Sequence, residues 1–208
     1  MYILANDFVQ KNRNRAIQIT DIAVAKVPRT HISGFDNEQN RHIQELHQLT
    51  LREAQELNQV CNTNDMEVGI LVDIHSWEYW VIKGKNPREV EIKNNLEAYG
   101  RLIGGYRNQL MFIHNHPSTG TFSGEDFKMF CYHSSLYMMT VVGNDSSVYI
   151  LIKSFEFDAE KAMMDYMRLS MKYYNEGYRN NNGTLALNEI LKNANKYGLF
   201  YKKGRKLI

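Results

Sequence analysis

Residues 113–126 read Ile-His-Asn-His-Pro-Ser-Thr-Gly-Thr-Phe-Ser-Gly-Glu-Asp and directly follow an apolar run. Because side chains alternate along a strand, His114 and His116 point to the same side of the strand that ends there. Ser123 is a typical N-cap, so we expect a helix to begin after it with Asp126 in its first turn. Two imidazoles and a carboxylate can share one metal ion, and this mixed ligation suits zinc with one position left open for water.

An open zinc site of this kind predicts hydrolytic chemistry. Zinc lowers the pKa of its bound water to about 7 and polarises a carbonyl, but a base must still take the proton. The best candidate is Glu67, which begins the apolar strand after the first long helix, and Glu78 is its nearest rival. The alternative for Glu67 is a carboxylate that faces solvent at a strand edge. Ser123 could donate a hydrogen bond to a developing oxyanion, or it could serve only as an N-cap.

Hydrophobic patterns upstream of the histidines predict alternating helices and strands. Asp36, with Gln39 three residues later, predicts a capped helix with one buried face. The run 67–74 is apolar on both faces, which suits a central strand, and residues 80–82 are its expected hairpin partner. A second helix is marked by four apolar residues at helical spacing: Leu96, Tyr99, Ile103 and Tyr106.

Downstream, residues 137–142 and 148–152 flank a hairpin signal, and two capped helical patterns follow. Residues 17–27 are a possible, weakly patterned strand in an irregular arm. The order of elements predicts an α/β (α+β) fold. We divide the chain into an N-terminal arm (1–36), a central α/β domain (37–153) and a C-terminal helical extension (154–208).

Composition limits the function classes. The chain has 208 residues, of which 43% are apolar, so it can build a globular core and is not a disordered chain. It contains no apolar run near the roughly twenty residues of a spanning helix and no signal-peptide core, so we expect a cytoplasmic protein. Cys61 and Cys131 are expected to be buried, reduced thiols. A net charge of +2 gives no broad attraction to nucleic acid.

The motif and its surroundings resemble the JAMM/MPN+ (JAB-domain) zinc metalloprotease superfamily. The resemblance rests on His114-Asn-His116-Pro117 followed by Ser123 and Asp126, with the strand Glu67-Val-Gly-Ile-Leu-Val upstream. It covers about residues 37–153 in element order, and His-Asn-His-Pro-Ser is similar to the bacterial RadC-like and phage-associated JAB domains. One departure is that six residues separate the second histidine from the serine, where the family pattern has seven. Phe122 also stands where proline often precedes that serine.

The resemblance implies an MPN/JAB-like mixed sheet flanked by helices and a zinc-dependent peptidase or isopeptidase. One zinc per chain is implied, with His114, His116 and Asp126 as ligands, Glu67 as acid and base, and Ser123 as oxyanion support. The implied substrate is a protein or peptide, which could be a conjugate of a ubiquitin-like modifier.

Other functions stay open on the sequence. A catalytically silent MPN-type scaffold would bind partners without hydrolysis, and a RadC-like nucleic-acid-associated protein would bind with a steep salt dependence. The letters His-Asn-His do not indicate an HNH nuclease, because that family spreads its residues over a longer ββα unit. His75 and His133 are left out of the ligand set, since a satisfied or exposed histidine is the commoner case.

Overall fold

The computed structural model describes residues 15–204, which form six α-helices and one six-stranded mixed sheet. The α-helices are α1 (Asp21–Ala25), α2 (Asn37–Cys61), α3 (Leu96–Gly104), α4 (Gly124–Tyr132), α5 (Ala159–Asn175) and α6 (Asn182–Lys192). Short 3-10 helices cover Ile92–Asn94 and Ala194–Tyr197. The strands are β1 (Met66–Asp73), β2 (Tyr79–Pro87), β3 (Leu110–His116), β4 (Leu136–Gly143), β5 (Val148–Lys153) and β6 (Leu199–Gly204).

The sheet has the order β2-β1-β3-β4-β5-β6, and only the β3–β4 pair is parallel. Every residue of β1 is buried, as predicted for a central strand, and β2 is its antiparallel hairpin partner. The predicted β4–β5 hairpin is also confirmed. Because side chains alternate across the sheet, one face packs on α1 and α2 and the other on α3 to α6.

The helix starts follow the capping residues in the sequence. Asp36 and Gln39 form a reciprocal capping box at α2, with both hydrogen bonds 2.8 Å long. Asp158 caps α5 by accepting a hydrogen bond from the Lys161 N–H. Of the descriptions made from the sequence, the mixed α/β class and these helix starts are therefore confirmed.

Three expectations need correction. The weak strand predicted over 17–27 contains the short helix α1 instead, capped by Thr20. The C-terminal extension is not only helical, because β6 pairs with β5 at the edge of the sheet. Cys61 is exposed rather than buried, whereas Cys131 is buried as expected.

The apolar residues that mark α3 in the sequence form its outer surface. Leu96 is 83% exposed and Ile103 is 61% exposed, while the buried positions of this helix are Ala98 and Leu102. The pattern therefore identifies the helix but not the side that packs on the sheet.

The described part of the chain contains no helix long and apolar enough to cross a membrane. Residues 1–14 of the predicted arm and 205–208 of the predicted extension lie outside the described range.

Candidate metal centre

The end of β3 and the start of α4 bring the predicted ligands together. His114 and His116 lie in the last three residues of β3, and the loop 117–122 returns the chain to Ser123, the N-cap of α4. Asp126 is the third residue of that helix, so its side chain reaches back toward the strand end. Among the described residues, these three side chains form a group that could hold a metal ion, with their ligand atoms within 4.8 Å of one another.

The two imidazole Nε2 atoms and both carboxylate oxygens of Asp126 lie close together. Asp126 Oδ1 lies 3.1 Å from His114 Nε2, Asp126 Oδ2 lies 3.3 Å from His116 Nε2, and the two Nε2 atoms are 3.1 Å apart. Ligands of a tetrahedral zinc ion, at about 2.0–2.1 Å from the metal, are separated by about 3.3 Å. The donor set and its spacing therefore fit one small dication.

Packing and hydrogen bonds orient the two imidazole rings differently. The buried His114 ring stacks on Phe112, with centroids 5.1 Å apart, and its Nδ1 has no hydrogen-bond partner among the described residues. Phe112 has room because position 69 is glycine, where a Cβ would lie 2.6 Å from the phenyl ring. The His116 ring is hydrogen-bonded to the backbone of Gly120, which is the kind of outer contact that fixes a ligating imidazole.

Electrostatics make Asp126 an anion at neutral pH. Burial opposes its ionisation, but the charges and hydrogen bonds of His114 and His116 outweigh burial and hold its pKa well below the usual range. Burial also opposes charge on His116, yet the hydrogen bond and charge of Asp126, with a smaller contribution from Glu67, raise the pKa of His116. The carboxylate of Asp126 and the imidazole of His116 therefore stabilise each other's charged forms.

Glu67 lies beside the ligands on the neighbouring strand. Gly69 of β1 pairs with His114, and continuing this antiparallel register places Glu67 next to His116. Its side chain is buried, so the alternative of a carboxylate facing solvent does not hold. Burial raises the pKa of Glu67 despite the opposing charges of His116 and His114. The rival Glu78 lies at the far end of β1, in the exposed turn to β2, where it contacts Arg101 at 3.6 Å.

Ser123 is the N-cap of α4, as expected from the sequence. Its Oγ accepts a hydrogen bond from the Asp126 N–H (3.1 Å), and its own N–H donates to Asp126 Oδ2 (2.6 Å). This reciprocal cap ties the ligand to the helix start. Because Oγ only accepts in this cap, the hydroxyl proton remains available to a group in the adjacent cleft.

The short loop between His116 and Ser123 is held by residues that sequence reasoning missed. Phe122 is buried and lies edge-on to Tyr201 of β6, with ring centroids 6.4 Å apart. The Tyr201 hydroxyl is 3.3 Å from Thr121 Oγ1, and the Tyr149 hydroxyl donates to the Thr119 carbonyl at 3.1 Å. No local signal links these tyrosines to the loop, because Tyr149 on β5 and Tyr201 on β6 reach it only through the tertiary fold.

A cleft of about 810 Å³ opens over the site. Glu67, His116, Asp126 and Ser123 line its floor, and the segment 87–93 and α3 contribute its opposite wall. His133 lies on the rim, whereas His75 lies exposed in the β1–β2 turn, so neither belongs to the ligand group.

The chain matches no protein-family model, no curated protein and no solved structure. The chemistry of the site is therefore read from its own residues. Two imidazoles and one carboxylate accept several divalent ions, so the donor set by itself does not single out zinc.

Proposed function

We propose that the protein is a zinc-dependent hydrolase of the JAMM type that cleaves a peptide or isopeptide bond in a protein substrate. The observation that carries the proposal is the group of His114, His116 and Asp126 ligand atoms, with the buried Glu67 lining the same cleft as His116 and Asp126. The site offers a metal position, a base and a hydroxyl donor on the floor of one cleft. These are the groups that hydrolysis of an amide requires.

Each residue has a separate task in the proposed reaction. A zinc ion held by His114, His116 and Asp126 would supply Lewis acidity, which makes water a nucleophile near pH 7 and polarises a carbonyl. Glu67 accepts a proton from the attacking water as the new C–O bond forms, and it donates that proton to the leaving nitrogen as the C–N bond breaks. Its raised pKa suits both directions of transfer. Ser123 Oγ donates a hydrogen bond to the carbonyl oxygen as charge develops there.

A cleft beside the candidate metal group has room for a substrate. Its volume of about 810 Å³ falls within the usual range of binding sites, and residues 87–93 and α4 contribute to its lining. We propose a protein substrate because the motif resembles that of zinc peptidases and isopeptidases, with a conjugate of a ubiquitin-like modifier as the first class to test. Both cysteines are free, which agrees with a cytoplasmic site of action.

The direct test compares Glu67→Gln with Glu78→Gln on a panel of peptide and isopeptide conjugates. Glu67→Gln should lower turnover by about 10²- to 10⁴-fold while zinc content stays unchanged, because the base is lost and the ligands are kept. Glu78→Gln should retain wild-type turnover, since Glu78 lies at the other end of β1. Wild-type turnover in Glu67→Gln would refute the assigned base. Zinc binding without hydrolysis of any conjugate would refute the hydrolase and favour a scaffold.

A further inference from the structure

Two buried asparagines form a hydrogen-bonded pair behind the metal ligands. Asn115 lies between His114 and His116, and Asn144 follows the end of β4; both side chains are fully buried. Asn115 Nδ2 donates to Asn144 Oδ1 at 3.0 Å. Buried amides are costly unless each polar atom is satisfied, so a complete network here constrains the backbone that it touches.

Asn115 bonds to the backbone on both sides of Glu67. Its Oδ1 accepts a hydrogen bond from the Val68 N–H at 2.7 Å, and its Nδ2 donates to the Met66 carbonyl at 3.3 Å. The backbone pairing of β1 with β3 reaches only to Gly69 and His114, so this side chain continues the connection where that pairing stops. One residue therefore joins the peptide groups around Glu67 to the strand segment that carries both imidazoles.

Asn144 anchors this connection to the rest of the chain. Its backbone N–H donates to the His116 carbonyl at 3.0 Å, and its Nδ2 donates to the Ile17 carbonyl at 2.8 Å. The Ile17 N–H in turn donates to the Pro117 carbonyl at 2.7 Å. The second asparagine thus bonds to the His116 carbonyl directly, contacts the Pro117 carbonyl through residue 17, and holds the acceptor that orients the Asn115 amide.

We propose that Asn115, oriented by Asn144, is a positioning residue that sets the Glu67 carboxyl relative to the His114 and His116 imidazoles. The proposal rests on the proposed function, because it assigns Asn115 the task of keeping the base and the metal ligands in register. Asn115 itself touches neither metal nor substrate in this role. Its removal should change the arrangement of the site more than it changes the amount of metal bound.

Asn40 supplies a matched control for Asn115→Ala. Asn40 is also a buried asparagine with three hydrogen bonds to the backbone, to the Ile32 N–H and to the carbonyls of Phe35 and Asp36. It does not line the cleft. Both alanine variants leave buried backbone groups unpaired, so both should lower Tm by several degrees. Only Asn115→Ala should lower kcat, by about 100-fold with KM nearly unchanged, because a misplacement near 1 Å at a reacting group has that effect.

A readout that needs no substrate is the visible absorption of the Co²⁺-loaded proteins. The Co²⁺ bands of Asn115→Ala should differ from those of the wild type in wavelength or intensity, while those of Asn40→Ala should not. Identical bands in all three folded proteins would overturn the positioning role. A wild type that binds Co²⁺ but hydrolyses no conjugate would refute the proposed function, and the bands would still decide the role of Asn115.

Asn144→Ala keeps the proposal testable if Asn115→Ala does not fold. This variant retains both bonds from Asn115 to β1, and it removes the acceptor of the Asn115 amide together with the Asn144 bonds to the Ile17 and Asn64 carbonyls. Its kcat should fall about 10-fold, less than in Asn115→Ala, because the amide loses orientation but not its contacts. An unchanged kcat together with unchanged Co²⁺ bands in Asn144→Ala would overturn the proposal.

Discussion

Asp126→Asn should abolish most of the stabilisation that zinc gives the protein. The carboxylate of Asp126 faces both Nε2 atoms and also accepts the Ser123 N–H. An asparagine at this position can keep one acceptor oxygen for the helix cap, but it removes the only negative charge of the ligand group. The substitution therefore separates metal binding from helix capping.

The expected magnitude follows from binding linkage. Loss of an outer contact to a metal ligand weakens binding by about 10- to 100-fold, so loss of the charged ligand itself should cost at least about 100-fold. At free zinc equal to about 100 times the wild-type Kd, binding adds about 2.7 kcal/mol to the free energy of unfolding of the wild type. At the same zinc concentration a 100-fold weaker variant gains about 0.4 kcal/mol. The difference of about 2.3 kcal/mol corresponds to about 5–9 °C in Tm for a chain of this size.

The assay is thermal unfolding of metal-free and zinc-loaded protein at buffered free zinc. Glu125→Gln is the control, because Glu125 lies on the same helix and lines the same cleft but pairs with Lys128 at 2.7 Å. The zinc-induced rise in Tm should persist in Glu125→Gln and nearly vanish in Asp126→Asn. A rise of wild-type size in Asp126→Asn would refute the ligand assignment.

Three further predictions concern the cap, the outer face of α3 and pH. Ser123→Ala should lower the free energy of unfolding by about 1 kcal/mol and also lower kcat, because both the cap and the hydroxyl donor are lost. Ser123→Thr keeps a hydroxyl and should retain the cap. Equal kcat in the two variants would leave Ser123 only as an N-cap. Ile103→Glu should change the free energy of unfolding by less than about 0.5 kcal/mol. Leu102→Ala should lower the free energy of unfolding by about 2–5 kcal/mol, because Leu102 is buried. A larger loss in Ile103→Glu than in Leu102→Ala, measured by chemical denaturation, would contradict the packing of α3. The pKa of His116 in the metal-free fold is raised. Protonation of His116 therefore contributes fully to the free energy of unfolding below the pKa of the unfolded chain, about 6.5, and this contribution is lost as pH rises through the pKa of the folded protein. Because zinc binds the deprotonated imidazole, the zinc-induced rise in Tm should grow as pH increases above about 6.5, and a rise independent of pH would contradict proton displacement.

The sequence predicts the ligand group well because its determinants are local. His114 and His116 are two residues apart on one strand, and Asp126 follows an N-cap within one helical turn. The same holds for the Asp36–Gln39 capping box and for the apolar run of β1. Alternation, capping and burial act within a few residues, so a single chain displays them.

The features that the sequence does not reveal depend on contacts between distant segments. Tyr201 holds the loop before Ser123 only because β6 pairs with β5, and Asn115 meets Asn144 only because β3 lies beside β4. In α3 both faces carry apolar residues, and the small Ala98 decides the side that packs closely. These outcomes are set by tertiary packing, which overrides local patterns.

Metal content of the purified, untagged protein, measured by elemental analysis beside Asp126→Asn, tests the central claim most directly. We predict about one zinc per wild-type chain and a large loss in the variant, because the group of two imidazoles and one carboxylate is the only ligand group of this kind among residues 15–204. No zinc in the wild type, even after incubation with zinc and removal of the excess, would contradict the assignment of His114, His116 and Asp126 as a zinc site.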